Sequence, residues 1–138
     1  MNLDALQTAI YSKLTGDTDV MAIAQSVSVD VEQPANPEDE SAFPFITLGR
    51  DDATPWDTKT NFGVTALCQI DIWSRSNNFL EAKQLASAIW TALHHRPLAI
   101  ANADHVMTVL ESTSYSDDPD GHTKRGMLIF RVTYDNIT

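Results

Sequence analysis

The stretch that most restricts the fold is Ser116–Tyr134, SDDPDGHTKRGMLIFRVTY. Asp118-Pro119-Asp120-Gly121 carries the residues a tight β-turn needs. Proline presets φ, aspartate bonds its own backbone, and glycine tolerates the exit geometry. Beyond the turn, Lys124 and Arg125 enter a run in which Leu128, Phe130, Val132 and Tyr134 alternate, and so share one face of a strand. A reversal of this kind wants an antiparallel partner immediately upstream, and His105–Tyr115 reads as that partner.

The rest of the chain alternates helical and extended patterns. Leu3, Leu6, Ile10 and Leu14 keep helical spacing after a capping Asn2, and Gly16 would end that helix. Asp17 or Thr18 can cap a second, short helix through Val20, Ile23 and Ala24. Val27–Val31 alternates and predicts a short strand. Gln33–Ser41, with two prolines and Glu38, Asp39 and Glu40, reads as an exposed loop. Phe43–Arg50 predicts a strand, Asp51–Phe62 a long connection or flexible hairpin tip, and Val64–Ser74 the clearest strand of the chain. Asn77 or Asn78 would cap a helix to about His94, its stripe formed by Phe79, Ala82, Ala86, Ile89, Trp90 and Leu93. Trp73 and Trp90 are expected in the core. Pro97 stops the helix, and Leu98–Ile100 predicts a short strand. The sum is an α+β chain: a mostly antiparallel sheet of four to five strands with helices packed on one face, in a single domain spanning residues 1–138.

Composition narrows the function classes. A formal charge of −10, with only nine basic residues scattered along 138 positions, argues against a nucleic-acid grip built on phosphate neutralisation. The sole cysteine, Cys68, sits in the alternation Val64-Ala66-Cys68-Ile70-Ile72 and reads as a small buried hydrophobe, which fits a reducing compartment. No apolar run approaches membrane-spanning length. The opening Met1-Asn2-Leu3-Asp4 lacks the features of a signal peptide, so a cytoplasmic protein is expected.

A search for chemistry returns structural answers. His94 and His95 are adjacent on a helix, so their side chains point about 100° apart and do not naturally share one ion. The helix dipole favours protonated histidines at that end. Asp117, Asp118 and Asp120 lack the alternating oxygen ligands of a calcium loop. Thr58, Thr60 and Ser74 have no His and Asp pattern beside them, and no glycine-rich phosphate loop is present. The expectation is no enzyme, no cofactor and no metal.

Four segments, in order, carry a resemblance: Phe43-Pro44-Phe45-Ile46-Thr47-Leu48-Gly49; Trp56-Asp57-Thr58-Lys59-Thr60; Ile72-Trp73-Ser74-Arg75 with Glu81-Ala82-Lys83 after it; and Asp118-Pro119-Asp120-Gly121 with Thr123 and Gly126. Together they resemble the tail-completion proteins of long-tailed phages and prophages, similar to the tail terminators of lambda-like siphophages and gene transfer agents. The acidic stretch Glu38–Glu40 has no counterpart in that pattern. What the resemblance implies is a homohexameric ring that caps the finished tail tube, stops polymerisation and offers a surface for head–tail joining. The implied partners are the chain itself, the major tail-tube protein and the head's connector or stopper. DNA only passes through the lumen, and no membrane is involved. The implied location is the host cytoplasm during assembly, then the tail–neck junction of the virion.

Candidate interface residues follow from the polar segments. Trp56, Asp57, Thr58 and Lys59 lie in the long connection, where an exposed tryptophan would anchor a contact, although it can equally fold back onto the core. Lys124 and Arg125, beside Asp118 and Asp120, are candidates for a neighbour's carboxylates, or for a solvated hairpin end. Arg75, at a strand end, is the last candidate. Acidic residues lining the lumen would repel passing DNA. Two other readings stay open: a head-side neck stopper or adaptor, and a small prophage-encoded ligand-binding α+β domain.

Overall fold

The computed structural model describes residues 3–29, 40–57, 62–119 and 121–136. Two helices open the chain, α1 (Leu3–Thr15) and α2 (Thr18–Ile23), followed by strand β1 (Ser26–Val29) and a 3₁₀ turn at Glu40–Ala42. The long strands β2 (Phe45–Asp57) and β3 (Phe62–Ser74) come next, then helix α3 (Leu80–Leu93) and strands β4 (Ala103–Asp117) and β5 (Lys124–Asn136). The strands form one sheet in the order β1-β2-β3-β5-β4. Among the described strands only the β1–β2 pair is parallel. The α+β reading therefore holds, with helices on one face of a mostly antiparallel sheet.

Period two decides which residues meet the helices. Along β3, Val64, Ala66, Cys68, Ile70 and Ile72 are buried, and in β5 Leu128, Phe130, Val132 and Tyr134 are fully buried beside them. Leu6, Ile10 and Leu14 of α1 and Leu85, Ile89 and Leu93 of α3 complete this core. Each such side chain contributes about 1.5–3 kcal/mol on leaving water. Burial pushes the Cys68 thiol well above its usual range, helped by the negative charge and hydrogen bonding of Asp51. It pushes the Tyr134 phenol to about 12. As a packed hydrophobe, Cys68 matches its reading.

Several boundaries differ from the sequence expectations. Asp51–Asp57 is not a connection; it continues β2 and pairs with Phe62–Cys68 of β3. Its polarity misled because β1 covers only Phe45–Leu48 and the segment beyond is largely exposed. Past β1 the outer side of β2 is a sheet edge, where Pro55 can lack an N–H without breaking an interior ladder. A bulge between Leu48 and Asp51 marks the change. Leu98–Ile100 forms no strand; Leu98 and Ile100 are buried in an irregular stretch that turns at Ile100–Ala103. Asp17 caps α2, accepting from the Val20 N–H at 3.0 Å. Asn78 accepts from the Leu80 N–H at 2.9 Å, while Phe79 occupies the start of α3. The predicted Asn2 cap, Asp30 and Val31 of the expected Val27–Val31 strand, and most of the Gln33–Ser41 loop lie outside the described residues.

Trp90 is the clearest error of placement. It is 45% exposed, because the inward face of α3 is Ala82, Leu85, Ala86, Ile89, Ala92 and Leu93. Position 90 lies about 100° round the helix from Ile89. Trp73 is buried as expected, but on the other side of the sheet, with Phe43 and Phe45.

Candidate subunit interface

The predicted interface residues divide between opposite ends of the sheet, about 35–40 Å apart along a 13-residue strand. Arg75, Asp118, Lys124 and Arg125 gather at the end made by the β4–β5 hairpin. Trp56 and Asp57 stand at the far end of the β2–β3 hairpin. Thr58, Lys59 and Asp120 lie outside the described residues.

The β4–β5 hairpin closes as its sequence demands. The Gly121 N–H donates to the Asp118 carbonyl at 3.0 Å, and the Asp118 N–H donates to the Thr123 carbonyl at 2.8 Å. Gly121 has φ of 82°, a conformation that L side chains resist. Lys124 pairs with Asp117 and places its ammonium 5.2 Å from the Phe79 ring centroid. Arg125 lies 5.0 Å from the Trp73 ring and donates from Nη2 to Asp71 at 3.2 Å. Asp71 is 6% exposed and also accepts from Gln69 Nε2 at 3.1 Å. Lys124 and Arg125 thus spend much of their charge inside their own subunit.

Arg75 is held differently. Its guanidinium sits 4.4 Å from the Phe43 ring, and Nε donates to Thr123 Oγ1 at 3.2 Å. No carboxylate among the described residues pairs with it. Phe43 meets Phe45 edge-on at 5.0 Å, and Phe45 stacks on Trp73 at 6.2 Å. The Trp73 indole N–H donates to Thr47 Oγ1 at 3.0 Å. The sequence of contacts Arg75–Phe43–Phe45–Trp73–Arg125–Asp71 therefore fixes two cations at the ends of an aromatic row. Such pairs contribute about 0.5–2 kcal/mol each. Nothing in the linear sequence joins these six positions; only the register of Phe45 with Trp73, and of Trp73 with Arg125, brings them together.

The strand-to-helix junction is set by Ser74, which is fully buried. Its hydroxyl donates to Glu81 Oε1 at 2.6 Å and accepts from the Ser76 N–H at 3.2 Å. This bond ties the start of α3 to the end of β3 and holds Arg75 between them.

At the far end, Trp56 neither enters the helix-side core nor stands free. It faces its cross-strand partner Gly63, and a Cβ built on that glycine would fall 2.2 Å from the indole Cε2. The indole lies flat over the glycine and keeps 37% of its surface in water. Asp57 beside it is exposed.

The histidines serve the edge of the sheet. The His95 N–H donates to the Thr108 carbonyl at 2.8 Å, and the Leu110 N–H donates to His94 Nδ1 at 3.1 Å. His94 also stacks under the exposed Trp90 at 4.9 Å. His105 Nε2 meets Thr108 Oγ1 at 2.6 Å, and partial burial lowers its pKa. No group of three His, Cys, Asp or Glu residues among the described ones is arranged to hold a metal.

Among the described residues, the polar contacts reported above gather at the ends of the sheet and along the edge of β4. Comparison with known proteins gives the family. The sequence profile of tail completion protein gp17 matches residues 8–135, and the chain belongs to that family. It is 26% identical to tail completion protein gp17 of Bacillus phage SPP1 over 132 residues, spanning 96% of this chain and 93% of that one. Its fold matches a chain in the virion of a native gene transfer agent particle, with a TM-score of 0.85, 23% identity and 96% of each chain covered. The structure of bacteriophage SPP1 gp17 matches with a TM-score of 0.58, 25% identity, and coverage of 98% and 92%. The family role is structural, in completing the tail of a virion.

Proposed function

We propose that this protein caps the completed tail tube as a ring of six copies, ends tail polymerisation and presents the surface to which the head joins. The observation that carries this reading is the family match over almost the whole chain, together with a fold shared with a chain of a virion. Its partners on this reading are its own copies, the tail-tube protein below and a connector or stopper protein above. It acts in the host cytoplasm during assembly and stays at the tail–neck junction.

The physics of a ring suits the surfaces described. A cyclic assembly joins one patch of each subunit to a different patch of the next. The two ends of this sheet are different: Arg75, Lys124 and Arg125 at one, Trp56 and Asp57 at the other. Termination follows when one face of the ring matches the tube and the other does not repeat it. With a net charge of −10, acidic residues facing the channel would keep DNA from adhering.

The test is electron microscopy of particles assembled without this gene product. Overlong or headless tails, corrected by adding the purified protein, are the expected outcome. Normal tails beside heads that leak DNA would move the protein to the neck as a stopper. Normal infectious particles would refute a role in assembly.

A further inference from the structure

Strand β4 is one edge of the sheet, and two of its outward backbone groups, near the middle of the strand, are taken. Thr108 and Leu110 turn their backbone groups away from β5; the Thr108 carbonyl accepts from the His95 N–H, and the Leu110 N–H donates to His94 Nδ1. Alternation along an antiparallel ladder, carried through the irregularity between Leu110 and Ser112, sets the direction of every later residue. Ser112, Ser114 and Ser116 turn their backbone groups toward β5, whereas Thr113, Tyr115 and Asp117 turn theirs outward. The bond from the Asp118 N–H to Thr123 across the hairpin agrees with this phase. No described backbone group bonds to the outward side of Thr113, Tyr115 or Asp117.

Open edges of this kind are usually blunted by lysine, proline or a covering element. Ser112-Thr113-Ser114-Tyr115-Ser116 has none of these and carries no charge. The opposite edge of the sheet is β1, whose Ser26-Val27-Ser28-Val29 is also uncharged, and no described backbone group bonds to its outer side. The directions of the two strands are fixed by the sheet. β1 runs with β2, and three antiparallel steps separate β2 from β4, so β1 and β4 run oppositely. A neighbouring copy repeated by rotation about an axis lying along the strands would therefore bring its β1 alongside β4 in the antiparallel sense, with no charge buried between them.

We propose that the open stretch Ser112–Ser116 of β4 pairs with β1 of a second copy of this chain, so that the sheet continues from one subunit to the next. The contact is heterologous, joins unlike edges and repeats in one direction, as a ring requires. It rests on the ring reading above and names the surface that builds it. His94 and His95 occupy the outward groups of Thr108 and Leu110 and so set how far the incoming strand can slide past Ser112.

The experiment uses assembled particles carrying Ser28→Cys with Ser114→Cys, treated with a short bismaleimide. Both side chains lie on the sheet face turned from the helices, since Ser28 pairs with Thr47 and Ser114 with Met127. The native Cys68 is buried. A ladder of linked copies is expected from the double variant, with each single variant remaining unlinked. Dimers from Ser114→Cys alone would overturn the proposal in favour of a two-fold β4–β4 contact. Absence of linked species in particles whose tails have normal length would overturn it outright and leave the cap reading intact. That reading fails separately, if particles lacking the protein have normal tails. As a second variant, Thr113→Pro removes an outward N–H and leaves the bonds to β5 in place. The isolated variant should melt like the parent, yet its incorporation into tails should fall by roughly tenfold or more. Unchanged incorporation would also overturn the proposal.

Discussion

Replacing Gly63 by alanine tests whether Trp56 is held by its cross-strand partner. Gly63 has no positive φ, so its backbone accepts any residue. The added Cβ would lie 2.2–2.5 Å from three indole atoms, too close for any contact, and the indole must leave. A covered indole buries on the order of 150–250 Å², and Trp56 already keeps 37% of its surface exposed. Lifting it would thus expose on the order of 100 Å², at a cost of about 2.5 kcal/mol at 25 cal/mol per Å². Alanine returns about 0.5–1 kcal/mol through a less flexible unfolded chain. The net expectation for Gly63→Ala is a loss of about 1–2 kcal/mol. In a Trp56→Ala background the same change should be neutral or stabilising by up to about 1 kcal/mol. Urea unfolding followed by far-ultraviolet circular dichroism measures all four corners of the cycle. Equal destabilisation by Gly63→Ala in both backgrounds would show that the glycine serves the backbone and not the indole, and the reasoning would be wrong.

Two further predictions concern charged groups. Asp71→Ala should cost about 1.5–3 kcal/mol, since it leaves the partly buried Arg125 without its carboxylate, and Arg125→Met in the same chain should recover much of that loss in urea unfolding. The pKa of His105 is lowered from 6.5 by partial burial, so below that pH the unfolded chain binds more protons than the folded one. Its contribution to stability is therefore fully present above pH 6.5 and is lost as the pH falls through the lowered folded value. His105→Gln should flatten that part of the stability–pH curve, and an unchanged slope would assign it to another group.

Much of the sheet was legible because its inner face is written in period two. Val64–Ser74 and Leu128–Tyr134 alternate cleanly, and the Asp-Pro-Asp-Gly turn fixes where the last hairpin reverses. What escaped were positions where exposure and structure part company. Asp51–Asp57 is polar because it continues β2 beyond the cover of β1, and a polar strand at an edge reads like a loop. Trp90 broke the opposite rule, sitting at helical spacing with the core while pointing into solvent over His94. The Arg75–Asp71 row was invisible for a different reason: its members come from three segments, and register alone unites them.

The histidines show how the end of a helix and the role of the residues there can be missed together. The sequence predicts His94 and His95 on the helix with side chains about 100° apart, but α3 ends at Leu93, His94 is extended and His95 has φ of 57°, so their ring centroids lie 4.3 Å apart. A helix ending beside a sheet edge offers the residues just past its end to unpaired strand groups. His94 gives a ring nitrogen and His95 a backbone N–H, and the two bonds lie two residues apart on β4. An edge strand left wholly bare invites pairing in any register, whereas one whose outward groups are already taken at its middle stops a partner from sliding past them. The placement of α3 thus turns a general hazard of open sheets into a restriction on where a second chain can add.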